Sequence, residues 1–208
     1  MLLDARSLPQ DTEIEADICI VGAGAAGIAM ARELAGQPLR VVVLESGGLD
    51  FDADVQALYA GETVGAPSAA LDESRLRYFG GTSNHWMGYC RPFDPEDFAV
   101  RPWVPLSGWP MGPAELAPWY ARAGGVLEVE DGNYDPGHWQ AHISPLLRGP
   151  LTAGRLRAAV FQQSPPTRLG ERYRDELERA GNVRVLLNAN LVDIATDATA
   201  ATVTGLKV

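Results

Sequence analysis

Gly22, Gly24 and Gly27, in the run GAGAAG, have the spacing G-x-G-x-x-G. In this pattern the first glycine permits a tight turn, the second lets the backbone approach a pyrophosphate, and the third lets a helix pack closely on a strand. Phosphates then sit at the helix N-terminus, beside Ala25 and Ala26, where free N–H groups and the positive dipole end favour anions. Glu45, at the end of a second apolar run, completes the pattern. Its carboxylate can accept hydrogen bonds from both hydroxyls of a ribose, and it would repel a 2′-phosphate. Ser46 follows it and is counted with the site. These residues predict a dinucleotide site without separating NAD from FAD, because both use this fingerprint.

A second stretch, GGTSNHWMGYC from Gly80 to Cys90, sets two glycines before two hydroxyls, an amide, an imidazole and an indole. A surface loop would not need Trp86, and a core would not need His85. Arg75 and Arg77 precede it.

The elements that must position these residues follow from the apolar pattern. Residues 16–21 (ADICIV) read as a strand running into the glycines, and Ala25 to Leu34 as a helix that stops near Gly36 and Pro38. Arg40 to Glu45 is apolar on both faces, as expected in a covered parallel sheet, so this is a βαβ unit. Beyond it, residues 52–60 predict a short helix and residues 61–74 an extended loop. Asp94 predicts an N-cap with Pro95 in the first turn, and Pro113 to Arg122 predicts a helix with Leu116, Trp119 and Tyr120 on one face. The stretch Asp131 to Thr152 is rich in Gly and Pro and reads as irregular. Leu169, Tyr173, Leu177 and Ala180 have helical spacing, with i,i+4 pairs Arg172–Glu176, Arg174–Glu178 and Asp175–Arg179 on the exposed side. Val183, Val185 and Leu187 alternate like a strand, and residues 190–195 and 202–208 predict two more. A chain ending at Val208 inside an apparent strand reads as a fragment.

The 208 residues carry a formal net charge of −10, which argues against nucleic acid or an anionic membrane as partner. No apolar run approaches the roughly 18 residues of a spanning helix, and the N-terminus lacks the pattern of a signal peptide. Cys19 reads as a small buried hydrophobe, Cys90 as a buried thiol, and the two have no metal-ligand spacing. A cytoplasmic protein without a metal is expected.

The order of these motifs resembles the glucose–methanol–choline (GMC) oxidoreductases. It runs from the fingerprint near the N-terminus, through Glu45-Ser46-Gly47-Gly48 and Arg75-Leu-Arg77-Tyr-Phe-Gly80-Gly81-Thr82-Ser83, to Asn188-Ala189-Asn190-Leu191. The His85-Trp86 pair is similar to the pyranose oxidase-like branch. The resemblance implies an α/β, Rossmann-like FAD-binding domain over residues 1–208, incomplete, with the substrate domain largely absent. Residues 1–14 would be a lead-in and residues 49–155 a flavin loop with irregular insertions. It implies FAD as cofactor, with Gly80 and Gly81 letting the backbone pass close to the flat ring. Arg77, Thr82, Ser83, Asn84 and His85 would lie along the cofactor, with Ser83, Asn84 and His85 contacting the ring. Asn188–Leu191 would form a strand whose main chain meets the adenine, with Leu191 replacing the family's usual valine. For His85 it leaves two roles, a covalent bond to the flavin or a non-covalent contact, the second preferred.

The family's activity would be oxidation of a CH–OH group in an alcohol or sugar by hydride transfer to flavin N5, with the electron acceptor open. No catalytic residue is assigned: the family's base is a histidine from a later part of the chain, and His138 and His142 read as exposed loop residues. Two alternatives stand beside this reading, an NAD-dependent dehydrogenase and a non-catalytic dinucleotide-binding module. The long irregular region after Glu45 counts against the first.

Overall fold

The structure, a computed structural model, describes residues 1–66, 68–130, 132–142, 152–153 and 156–208. Of the stretch expected to be irregular, Asp131 and residues 143–151 lie outside the described residues, as do Pro67 and residues 154–155 of the expected insertions. The chain divides into two compact units, Met1–His85 with Arg168–Val208, and Trp86–Thr167. The first unit begins with strands β1 (Leu2–Asp4) and β2 (Ile18–Val21), helix α1 (Ala25–Leu34), strand β3 (Val41–Leu44) and the short helices α2 (Ala53–Ala57) and α3 (Leu71–Ser74). The second holds β4 (Tyr89–Cys90), α4 (Pro95–Phe98), α5 (Pro113–Val126), α6 (Pro136–Trp139), β5 (Thr152–Ala153), β6 (Leu156–Arg157) and β7 (Gln162–Gln163). The chain then returns to the first unit with α7 (Leu169–Arg179), β8 (Val183–Leu187), β9 (Asp193–Thr196) and β10 (Val203–Lys207).

The first unit is α/β, built on a four-stranded parallel sheet in the order β1-β8-β3-β2. Strand β3 is buried at all four residues, as the unbroken VVVL run requires of a strand with a neighbour on each side. Helices α1 and α7 pack together. The small residues of α1 allow close docking, and its buried members are Gly27, Ile28 and Ala31. Helix α7 buries Leu169, Gly170, Tyr173 and Leu177. Arg32 joins the two helices, since its Nε donates to Glu176 at 2.9 Å and its guanidinium lies 3.7 Å from the Tyr173 ring centroid. A separate core cluster of Val42, Leu44, Leu186 and Ala189 is covered by Leu3, Ala5, Leu8, Ile14, Leu191 and Leu206.

Four expectations change here. The lead-in 1–14 contains β1, which pairs with β8 and packs Leu3 on the core. Cys19 is exposed rather than buried, because β2 is a sheet edge and only Ile20 of its four residues is buried. The segment 61–74 ends in the single helical turn α3. Asn188–Leu191 is not a strand: Asn188 turns the chain at φ 53° and the hairpin β9–β10 starts later.

In the second unit, β4 pairs with β7 and β5 with β6, both antiparallel. Asp94 and Asp97 form a reciprocal capping box on α4, with Pro95 in its first turn, as the sequence predicts. Helix α5 runs four residues past Arg122, through Gly124 and Gly125, and buries none of its side chains, so Leu116, Trp119 and Tyr120 form no core face. Phe93 meets Phe98 edge to face and lies tilted against Trp109, at centroid distances of 6.1 and 6.4 Å. Trp86 donates its indole N–H to the Thr167 carbonyl at 3.0 Å. Among the described residues, no helix is long and apolar enough to cross a membrane.

Candidate functional site

Strand β2 ends at Val21, and the chain turns at Gly22, whose φ of 93° is open to glycine but strained for other residues. Its N–H donates to the Leu44 carbonyl at 2.7 Å, tying the turn to the end of β3. Helix α1 then starts with Gly24 as N-cap. A Cβ on Gly27 would stand 1.9 Å from the Gly22 carbonyl oxygen, so helix and turn meet backbone to backbone. A Cβ on Gly24 would meet nothing within 4 Å. Ala25 and Ala26 are exposed at the first turn, where the leading N–H groups of a helix lack partners inside it.

Glu45 follows β3 and is 6% exposed. Its Oε2 accepts from the Ala23 N–H at 2.8 Å and its Oε1 from the Gly47 N–H at 3.0 Å. A carboxylate offers about four lone-pair sites, so acceptor capacity for two hydroxyls is left. Gly47 is tightly enclosed, since a Cβ there would lie 2.1 Å from the Arg77 carbonyl oxygen. Ser46 beside it is half-buried.

The double glycine is stitched to both of these features. Gly80 N–H donates to the Ala23 carbonyl at 2.8 Å, and Phe79 N–H to the Gly48 carbonyl at 3.0 Å. Gly80 and Gly81 have φ values of 96° and 53°. A Cβ on Gly81 would lie 3.0 Å from Gly24 Cα, and one on Gly170 would lie 2.9 Å from Gly80 Cα. The loop therefore needs small residues on both of its sides. Ser83 is 8% exposed. Its hydroxyl donates to the Gly80 carbonyl at 2.7 Å and accepts from the Leu169 N–H at 3.3 Å. Asn84 donates to the Phe79 carbonyl at 2.9 Å. The Ser83 hydroxyl proton and one Asn84 amide N–H are thus engaged within the loop. A buried hydroxyl must find a partner, and the Gly80 carbonyl supplies it for Ser83. Thr82 and His85 are the exposed side chains of the loop.

The remaining candidates lie beside this core. Arg77 donates through Nη2 to Asn190 Oδ1 at 2.5 Å, its guanidinium lies 4.7 Å from the Tyr59 ring centroid, and its Nε is buried without a partner. Leu191 packs its side chain on the Val42–Leu186 core. The main chain just before it closes the ring of contacts: Asn188 N–H donates to the Gly47 carbonyl at 2.9 Å and Ala189 N–H to the Glu45 carbonyl at 2.8 Å. The turn, the acid, the double glycine and the Asn188 segment thus form one main-chain network at the carboxyl ends of β2, β3 and β8. That is where open parallel sheets bind ligands. The glycine cradle, the open face at Gly24, the exposed first turn of α1 and the spare capacity of Glu45 fit a dinucleotide.

Gln56, which is 7% exposed and ties the Arg77 segment to α2, was not among the candidates. A lone glutamine in a short helix carries no residue-type signal of that role. Elsewhere, Cys90 is half-buried and burial pushes its thiol up. His138 and His142 are exposed, with ring centroids 5.6 Å apart. Among the described residues, no group of three side chains could hold a metal.

The family model described as "FAD dependent oxidoreductase" (DAO) matches residues 17–207. The chain belongs to the DAO family of FAD-dependent oxidoreductases. The chain is similar to the "Probable oxidoreductase OrdL" of Haemophilus influenzae, 30% identical over 125 residues, covering 59% of this chain and 28% of that protein. It is also similar to "3-(3-hydroxy-phenyl)propionate/3-hydroxycinnamic acid hydroxylase 1" of Burkholderia vietnamiensis, 32% identical over 123 residues, covering 54% of this chain and 18% of that protein. The matched parts span less than a third of the length of both relatives. Membership of the DAO family replaces the GMC assignment and, with it, the pyranose oxidase-like branch. The reason is physical. The glycine turn, the acid after β3 and the tight glycine loop answer the steric demands of a dinucleotide cradle, and such demands do not separate one FAD family from another. Membership also makes FAD the cofactor and sets aside the NAD-dependent alternative.

Proposed function

We propose that this chain is the FAD-binding portion of an oxidoreductase that takes a hydride from a substrate carbon, with a CH–OH group of an alcohol or sugar as the donor. The observation that carries the cofactor part is the main-chain network joining Gly22–Gly27, Glu45–Gly48, Phe79–Gly81 and Asn188–Ala189. The first turn of α1 would hold the pyrophosphate, and Glu45 the ribose hydroxyls. Gly80 and Gly81 would keep the loop low enough for close approach, with Thr82 and His85 directed outward. When bound, FAD supplies the hydride-accepting ring. The flavin is held without a covalent bond in this reading, and His85 is the residue to watch for one.

The test is an absorbance spectrum of the full-length protein, before and after acid precipitation. Flavin bands that move to the supernatant are expected. Their absence would overturn the cofactor reading, and retention in the pellet would overturn the non-covalent one. Bleaching of the bands is then screened with alcohols, sugars and amines under anaerobic conditions. The names of the relatives add one arm, a phenylpropionate with a nicotinamide reductant. Turnover only in that arm would replace the CH–OH donor with hydroxylation.

A further inference from the structure

Gln56 is a buried polar side chain with no place in the cofactor cradle described so far. It sits in α2, whose N-cap Asp52 accepts from the Asp54 and Val55 N–H groups at 2.9 and 3.1 Å. The Gln56 amide reaches across to the segment before the double glycine and bonds three main-chain groups. Its Nε2 donates to the Asp72 and Arg75 carbonyls, both at 2.6 Å, and its Oε1 accepts from the Arg77 N–H at 3.0 Å. Two donors and an acceptor on one flat group are what an amide offers. A glutamate would turn oxygen toward two carbonyls, an asparagine would fall one methylene short, and a leucine would leave three main-chain groups without partners.

The clamp sits a few residues ahead of the contacts that matter for the dinucleotide. The Arg77 carbonyl lies against Gly47, and the Phe79 and Gly80 N–H groups reach the Gly48 and Ala23 carbonyls. We infer that Gln56 is a positioning residue: it fixes the main chain of residues 72–77, so that Gly80 and Gly81 arrive against the Gly22–Gly27 turn before any cofactor binds. This rests on the FAD reading above, yet it predicts something that reading does not. Affinity for FAD depends on a residue outside the cradle.

The comparison for the test is Asn182, an amide that bridges main chain in the same way at the opposite end of the sheet. Its Nδ2 donates to the Leu34 and Leu39 carbonyls at 2.9 and 3.0 Å, and its Oδ1 accepts from the Gly36 N–H at 2.8 Å. Full-length protein is stripped of flavin, and the Kd for FAD and the apo-protein Tm are measured for wild type, Gln56→Leu, Gln56→Glu and Asn182→Ala. Failure of wild type to bind FAD would sink the cofactor reading itself. If wild type binds, the Gln56 variants are expected to weaken FAD binding by about tenfold or more, the loss when buried groups lose their partners. Asn182→Ala should lower Tm and leave the Kd within about twofold of wild type. Equal losses of affinity in the Gln56 and Asn182 variants, or an unchanged Kd in both Gln56 variants, would overturn the inference. Hydrogen exchange on the wild-type apo-protein gives a second measurement that needs no variant. The Arg77 N–H should be protected before FAD is added, and fast exchange there would also overturn it.

Discussion

At the carboxyl ends of β2 and β3 the chain packs backbone on backbone. Gly27 meets the Gly22 carbonyl, Gly81 faces Gly24, and the single carboxylate of Glu45 accepts from two main-chain N–H groups. At the amino ends of the same strands, exposed charges add to the main-chain contacts. Arg40 pairs with Asp17 at 2.9 Å and with Glu15 at 2.7 Å, and Asp17 Oδ2 accepts the Arg40 N–H at 2.7 Å. Both ends hold two neighbouring strands in register. The amino end supplements its main-chain bonds with ion pairs that water screens, and the carboxyl end uses glycines and buried acceptors that leave no room for error. The difference shows where the molecule has given up tolerance to substitution in return for a surface low enough to receive a ligand.

Glycine substitutions should separate the two ends most strongly. Gly27→Ala places a methyl group on the Gly22 carbonyl, so it should cost more than the ~3 kcal/mol upper range of ordinary overpacking and abolish flavin retention. Gly36→Ala has open space around its Cβ and carries only the strain of φ 77°, about 1–2 kcal/mol, with flavin retained. Urea denaturation and bound flavin per chain measure both, and similar losses would erase the contrast.

A carboxylate exchange comes next. Glu45→Gln turns an amide N–H toward a main-chain N–H, which should cost about 1–3 kcal/mol and weaken FAD binding by tenfold or more. Asp17→Asn should leave FAD binding as it was. A Kd that moves with Asp17 would show that the two ends are not independent.

The smallest effect is a titration. The Arg40 guanidinium and main-chain N–H beside Asp17 hold its carboxyl down at about 2. A carboxyl whose pKa is lowered on folding stabilises the fold above its unfolded value, about 3.9, and loses that contribution as pH falls through the folded value. Wild type and Asp17→Asn should therefore differ slightly in stability above about pH 4 and converge toward about pH 2. A molar salt concentration should shrink the gap.

How far all this could be read in advance depends on what sets each feature. The span Ala25–Leu34 was legible to the residue, because an alanine-rich run between the glycine fingerprint and Gly36 is a local signal. The glycine positions were legible because sterics admits no other residue at Gly22 or Gly27. Exposure of Cys19 was not legible: it follows from β2 standing at the sheet edge, and nothing in ICIV says which neighbours a strand will have. The continuation of α5 through Gly124 and Gly125 runs against helix propensity. The duties of Ser83 and Gln56 were hidden for a different reason. Their partners are main-chain groups, which every residue carries, so no pattern of side chains announces them.

Strand β1 has a consequence for the chain as it is made. Leu2–Asp4 pairs with Val185–Leu187, and β3 also waits for β8 to cover its second edge. At ordinary rates of synthesis, about 180 residues take roughly 10–40 s to follow β1. During that interval β2, α1 and β3 can assemble locally, while β1 and one edge of β3 have no strand to bond. The cradle segments Glu45 and Gly47 are likewise incomplete until Asn188 and Ala189 arrive. The sheet is therefore finished by β8 and the site by the two residues that follow it, and the ability to bind the dinucleotide should appear together with the closed sheet rather than with the glycine turn that begins it.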